Sequence, residues 1–102
     1  MSSASATGFT LDTSVPGTLG ISGVLSFDTA AAALQEVNAV LRRVRVTQLD
    51  LAGVQRSDSA GLSCVVAVMA EAARAGHPLQ VVHMPTGLQA LAQVCEVDRY
   101  IG

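Results

Sequence analysis

The feature that most constrains this chain is the junction inside VTQLDLAGVQRSDSAGLSCVVAVMAEAARAG, residues 46–76. Val46-Thr47-Gln48-Leu49-Asp50-Leu51 reads as an apolar strand, and Val46, Leu49 and Leu51 suit a buried central position in a sheet. After a short turn, Leu62, Val65, Val66, Met69 and Ala73 recur at helical spacing and predict a core-facing helix over 59–75. A strand that delivers the chain directly into a long amphipathic helix demands a sheet with helices packed on it. The junction itself, Ser57-Asp58-Ser59-Ala60-Gly61-Leu62, is built of residues that cap helices. It holds two hydroxyls and a carboxylate where the unpaired N–H groups of a helix start point outward, at the positive end of the helix dipole.

The remaining elements fall on either side of that junction. FTLDTSV, residues 9–15, alternates as an edge strand, Pro16-Gly17 is a turn pair, and Thr18–Leu25 completes a hairpin. Gly20 and Gly23 weaken the second strand and mark a bulge or a close backbone approach. Asp28 or Thr29 caps a helix over 30–44 whose apolar stripe is Ala30, Leu34, Val37, Leu41 and Val44. Gly76 is a C-cap, His77-Pro78 turns the chain, and 79–84 is a further strand. Thr86-x-x-Gln89 matches a capping box for a last helix with Leu88, Leu91, Ala92 and Cys95 on its apolar face. Tyr100 and Ile101 are expected to fold back on the core. The order is β-β-α-β-α-β-α: an α/β domain with a mixed four-stranded sheet and three helices.

Size and charge narrow the function. A chain of 102 residues makes one domain, here 9–102 behind a small polar tail at 1–8. The net charge of −2 offers no basic field for nucleic acid or an anionic membrane. Phe9, Phe27 and Tyr100 are the only aromatics, too few for a base-stacking platform. MSSASATGF has neither the charged start nor the apolar centre of a secretory signal, and no apolar run reaches the ~18 residues of a membrane span. The expectation is a cytoplasmic protein. Cys64 and Cys95 could pair on counting alone, but reduced packing residues are the favoured reading.

Catalysis is disfavoured. His77, beside a helix end, and His83, an ordinary strand residue, lack the spacing to cysteine or aspartate that a metal site needs. An acid/base couple of Asp50 and Asp58 would require a cleft joining both to His83. Gly17, Gly20 and Gly23 do not form a phosphate loop. The Asp58-Ser59 corner is then either a plain helix cap or a docking surface whose Ser59 hydroxyl can accept a phosphate. Opposite the expected core face, the same helix carries Cys64, Ala67, Val68 and Glu71, three of them small or apolar. Such a face is covered by another protein or by another part of this chain.

The element order and the segment LDLAGVQRSDSAGL together resemble the STAS domain, the fold of bacterial anti-sigma factor antagonists, from about Phe9 to Ile101. Asp58-Ser59-Ala60-Gly61-Leu62 matches the family motif D-[ST]-x-G-[LM], in which the hydroxyl residue, here Ser59, is the phospho-acceptor where phosphorylation occurs. Within the family the chain is similar to the MlaB branch in its compact length, in Gly23–Thr29 leading into the first helix, in Ser59-Ala60-Gly61-Leu62 and in Pro85…Leu88-Gln89-Ala90-Leu91-Ala92. That resemblance implies a non-catalytic subunit with no cofactor or metal. It would bind the ATP-binding cassette ATPase, MlaF, of a phospholipid-trafficking ABC transporter that serves outer-membrane lipid asymmetry, and through it a permease. The subunit would lie in the cytoplasm, peripheral to the inner membrane and without inserting into it. The alternative is an anti-sigma factor antagonist switched by a GHKL-type kinase. Either way the expected partner surface is Ser57, Asp58, Ser59, Ala60 and Gly61 with Cys64, Ala67, Val68 and Glu71, and Val68→Arg is expected to abolish binding with the fold intact.

Overall fold

The structure, a computed structural model, describes residues 8–94. Strand β1 (Phe9–Asp12) runs antiparallel to β2 (Thr18–Leu25), joined by a turn in which Thr18 N donates to Val15 O at 3.1 Å. Helix α1 (Ala30–Arg43) crosses to β3 (Gln48–Ser57), and α2 (Ser59–Arg74) crosses to β4 (Gln80–Val82), before α3 (Thr86–Val94). The sheet order is β1-β2-β3-β4, with β3 parallel to both β2 and β4. The expected β-β-α-β-α-β-α order and the mixed sheet with its central β3 are present.

β3 is much longer than its alternation suggests, and the reason is local. Gly20 pairs with Asp50 but Ser22 with Gly53, and Gly23 pairs with Val54 but Val24 with Arg56, so β3 carries two extra residues against β2. Each bulge breaks the period of two. The buried series Leu49, Leu51, Val54 therefore shifts phase after Leu51, where the sequence pattern ends the strand. The strand in fact reaches Ser57, and Asp58 alone links it to α2. The expected close approach at Gly23 is also found: its φ is +95°, and a Cβ there would lie 2.5 Å from Gly8 O. β4 is shorter than expected, because His83 turns out of the strand with φ +56°.

Apolar side chains from one side of the sheet and the inner arcs of the helices form a single core that includes Leu19, Leu49, Leu51, Val37, Val65, Val68 and Leu88. Each fully buried side chain of this size contributes about 1.5–3 kcal/mol. Both long helices sit rotated from the expected stripe. In α1 the buried residues are Ala33, Val37 and Val40, while Val44 is exposed. In α2 they are Gly61, Leu62, Cys64, Val65, Val68 and Ala72, whereas Val66 and Met69 are half-buried and Ala73 is exposed. The start of α2 is apolar nearly all round, so periodicity alone does not fix its rotation. Contacts with α1, α3 and the sheet do, and they widen the buried arc.

The helix ends follow their chemistry with two differences. Gly76, at φ +85°, closes α2: His77 N donates to Ala72 O and Gly76 N to Ala73 O, the double bond pattern of a glycine C-cap. At α1, Thr29 stands at the cap position but its hydroxyl serves the preceding turn, accepting from Ser26 N and donating to Val24 O, both at 2.9 Å. At α3 the expected capping box does not form. Thr86 is already helical, and Gln89 Nε2 donates to Met84 O instead of returning to the cap. Cys95, Tyr100 and Ile101 lie outside the described residues.

Candidate functional site

The carboxyl ends of β2 and β3 meet at one corner of the sheet, where Leu25 pairs with Ser57. Two loops leave from there, Ser26–Thr29 into α1 and Asp58 into α2. Asp58 ties them together. Its Oδ1 accepts from Ala60 N at 2.9 Å and Gly61 N at 3.1 Å, and its Oδ2 accepts from Phe27 N at 3.1 Å. Its own N–H donates to Leu25 O at 3.3 Å. The amides of Gly61 and Phe27, followed by that of Ala60, hold the Asp58 carboxyl below its ordinary range. Asp58 is thus an ionised N-cap and also a brace between two loops.

The brace positions two outward groups. Ser59, the first residue of α2, is exposed, and its hydroxyl has no hydrogen-bond partner among the described residues. Phe27 is 81% exposed, although its backbone is pinned to Asp58. The sequence reading missed Phe27. The available signal was an aromatic in SFDT, outside any alternating pattern, in a chain with two other aromatics. Ser57 and Ala60 are half-buried beside these groups. Gly61 is buried beneath them, its Cα so close to β2 that a Cβ would lie 2.1 Å from Leu25 O. The close approach at Gly61 is thus made to this chain's own strand.

The helix face expected to extend this surface does not do so. Cys64 is 5% exposed and Val68 1% exposed; both belong to the core, where burial pushes the Cys64 thiol pKa up. An arginine at Val68 would place a charge among apolar side chains, so the expectation of an intact fold is withdrawn. Ala67 is half-buried. Glu71 is exposed and paired with Arg74, about 18 Å along the helix from Ser59 at the usual helical rise. The apolar character of Cys64 and Val68 is explained by packing within this chain.

The structure also separates the candidate acid/base group. His83 Nδ1 does reach Asp50 Oδ1, at 3.1 Å, but both lie toward the far end of β3 from Asp58. Asp50 and Ser57 are separated by seven residues, about 23 Å of strand. That separation keeps Asp58 away from the Asp50–His83 pair. Among the described residues no group of three or more His, Cys, Asp or Glu side chains could hold a metal ion, and no helix is long and apolar enough to cross a membrane. The corner therefore offers an exposed hydroxyl, an exposed ring and a fixed carboxylate side by side, which suits contact with another macromolecule.

The folded architecture has solved counterparts. SpoIIAA, an anti-sigma factor antagonist, matches in its unphosphorylated form with a TM-score of 0.69 and 15% identity, over 92% of this chain and 85% of that one. Its phosphorylated form, described as a Bacillus cell fate determinant, matches with a TM-score of 0.65 and 15% identity, over 92% and 88%. SLC26A9 matches with a TM-score of 0.66 and 17% identity over 86% of this chain but only 18% of its own. A comparison with curated proteins gives no match. These likenesses define the class, a small mixed α/β domain with the SpoIIAA fold. A family model described as "Mlab, STAS domain" matches residues 10–102, and the chain belongs to the STAS domain family. STAS domains are generally non-catalytic regulatory or interaction modules.

Proposed function

We propose that this chain is a non-catalytic STAS subunit of a phospholipid-trafficking ABC transporter that maintains outer-membrane lipid asymmetry. Its partner is the transporter's MlaF-like ATPase, and through that ATPase a permease. The observation that carries the reading is the match of the MlaB family model over residues 10–102. The Phe27–Asp58–Ser59 corner supports it. An exposed ring on a pinned backbone is a preformed anchor, of the kind that supplies most of the energy in protein contacts. Asp58 holds the ring and the Ser59 hydroxyl in fixed relation, and Gly61 seats the helix below them. The subunit works in the cytoplasm, peripheral to the inner membrane, without inserting into it. It needs no cofactor.

A second reading has its own support. The fold likeness extends to SpoIIAA in both unphosphorylated and phosphorylated forms, and Ser59 presents an exposed hydroxyl at a helix start. On that reading the chain is an anti-sigma factor antagonist and a GHKL-type kinase phosphorylates Ser59. Purification of the tagged chain from its host, with partners identified by mass spectrometry, separates the two. An ABC ATPase recovered with its permease supports the transporter subunit, and a small GHKL-type kinase supports the antagonist. Recovery of neither sinks both.

A further inference from the structure

The two ends of the domain are chemically unlike. The chain has no lysine and six arginines, of which Arg42, Arg43 and Arg45 fall within four residues. They rim a groove of about 450 Å³ between the carboxyl ends of α1 and α2, floored by Leu41, Val46 and Ala72. Among the described residues its one carboxylate, Glu71, is already engaged by Arg74. Arg42 and Arg45 have no hydrogen-bond or ion-pair partner among the described residues. Arg42 and Arg43 also offset the negative end of the α1 dipole, which is reason enough for a cation in a last turn. That does not account for Arg45, beyond the helix, or for the apolar floor.

At the opposite end, past Ser57, stands the exposed Phe27 ring, flanked by the carboxylates of Asp28 and Asp58, with Arg56 the nearby cation on β3. One end is thus an aromatic knob with acidic neighbours, and the other an apolar groove with a guanidinium rim. We infer that the groove of one copy receives Phe27 of a second copy, with Asp28 facing Arg42 and Arg45. Knob and groove lie at opposite ends of β3, so the contact is head-to-tail and each copy keeps one free end. One ring and a few charges bury far less than the ~1,200–2,000 Å² of stable interfaces, so the association is weak and weakened further by salt. It covers the corner proposed above for the partner, and self-association and partner binding exclude each other. The inference rests on this chain alone, whatever that partner is.

Sedimentation velocity of the purified chain, from micromolar to millimolar and at low and high salt, tests it. The expected result is a sedimentation coefficient that rises with concentration past that of a dimer and falls back in high salt. Phe27→Ser alone and Arg42→Glu/Arg45→Glu together each leave a monomer, with circular dichroism checking that both variants fold. Mixed in equal amounts they form dimers and nothing larger, since one brings an intact groove and the other an intact knob. A wild-type chain that stays monomeric at millimolar concentration overturns the inference. So does an associating wild type whose two variants fail to complement, because that result describes a symmetric or unrelated contact.

Discussion

Gly61→Ala is the most direct test of how the corner is held. A Cβ at residue 61 would lie 2.1 Å from Leu25 O, 2.8 Å from Leu25 C and 3.0 Å from Leu25 Cβ. The first of these must open by about 1 Å to reach ordinary contact, and the obstacle is backbone in a central sheet strand, which cannot rotate away. The start of α2 would have to lift, stretching the 3.3 Å bond from Asp58 N to Leu25 O and the 3.1 Å bond from Phe27 N to Asp58 Oδ2. Two effects oppose each other. Alanine is favoured over glycine inside a helix by up to about 1 kcal/mol, while overpacking of this kind costs about 1–3 kcal/mol or more. With rigid backbone as the obstacle the upper end applies, leaving a net loss of about 2 kcal/mol. For a domain of this size that lowers Tm by roughly 8–16 °C. Urea unfolding should show a lower midpoint with an unchanged slope. A Gly61→Ala protein as stable as wild type, or more so, would mean that helix propensity wins and that α2 does not seat on Leu25 as described.

Other perturbations separate core from surface. Val68→Arg should prevent folding, seen as loss of native circular dichroism, because it puts an unpaired charge at a position 1% exposed. Leu49→Ala, in the centre of the sheet, should cost about 2–5 kcal/mol in urea unfolding, and a smaller loss would place Leu49 outside the core. Ser59→Ala should leave stability within about 0.5 kcal/mol of wild type. The acid limb of stability should depend on Asp58. Its folded pKa lies below the ordinary 3.8, so the unfolded state binds the proton first. The stabilisation is complete above that unfolded value and is lost as pH falls through the depressed folded one. Asp12, lowered by the Ser14 amide, adds the same sign. Asp58→Asn should flatten the acid limb below about pH 4, and an unchanged acid unfolding curve would remove Asp58 as the titrating brace.

The sequence makes some parts of this molecule legible because local chemistry decides them. Gly76 ends α2 because the cap needs a positive φ, Gly23 passes under Gly8 because a Cβ would not fit there, and the strand-to-helix junction announces Asp58 and Ser59 through capping residues. What pattern reading loses is whatever depends on partners distant in sequence. The bulges that carry β3 on to Ser57 exist only against β2, so alternation fails after Leu51. The rotation of α2, apolar on most sides, is chosen by α1 and α3, so Cys64 and Val68 look like a spare face until the helices are packed. Phe27 is faint for the converse reason. Its one sign is that SFDT belongs to no alternating pattern, which sets the ring apart from the strands without placing it outside.

The same geometry determines what a phosphate, or its mimic, does at Ser59. A helix start ordinarily welcomes an anion, because its first amides point outward unpaired. Here the amides of Ala60 and Gly61 already donate to Asp58 Oδ1, and the Phe27 amide to Oδ2. A charged group on Ser59 therefore gains little from those amides and meets an ionised carboxylate held below its ordinary pKa. It is driven outward, toward the surface shared with Phe27, where a partner would have to desolvate it. Ser59→Asp and Ser59→Glu should thus keep a Tm near that of wild type while weakening partner binding more than Ser59→Ala does. Calorimetric titration against the recovered partner measures the affinities and thermal unfolding the stabilities. Equal affinities for all three variants would remove Ser59 from the contact. A phosphomimetic that unfolds the domain would show instead that Asp58 cannot tolerate the charge beside it, making the switch one of stability and not of surface.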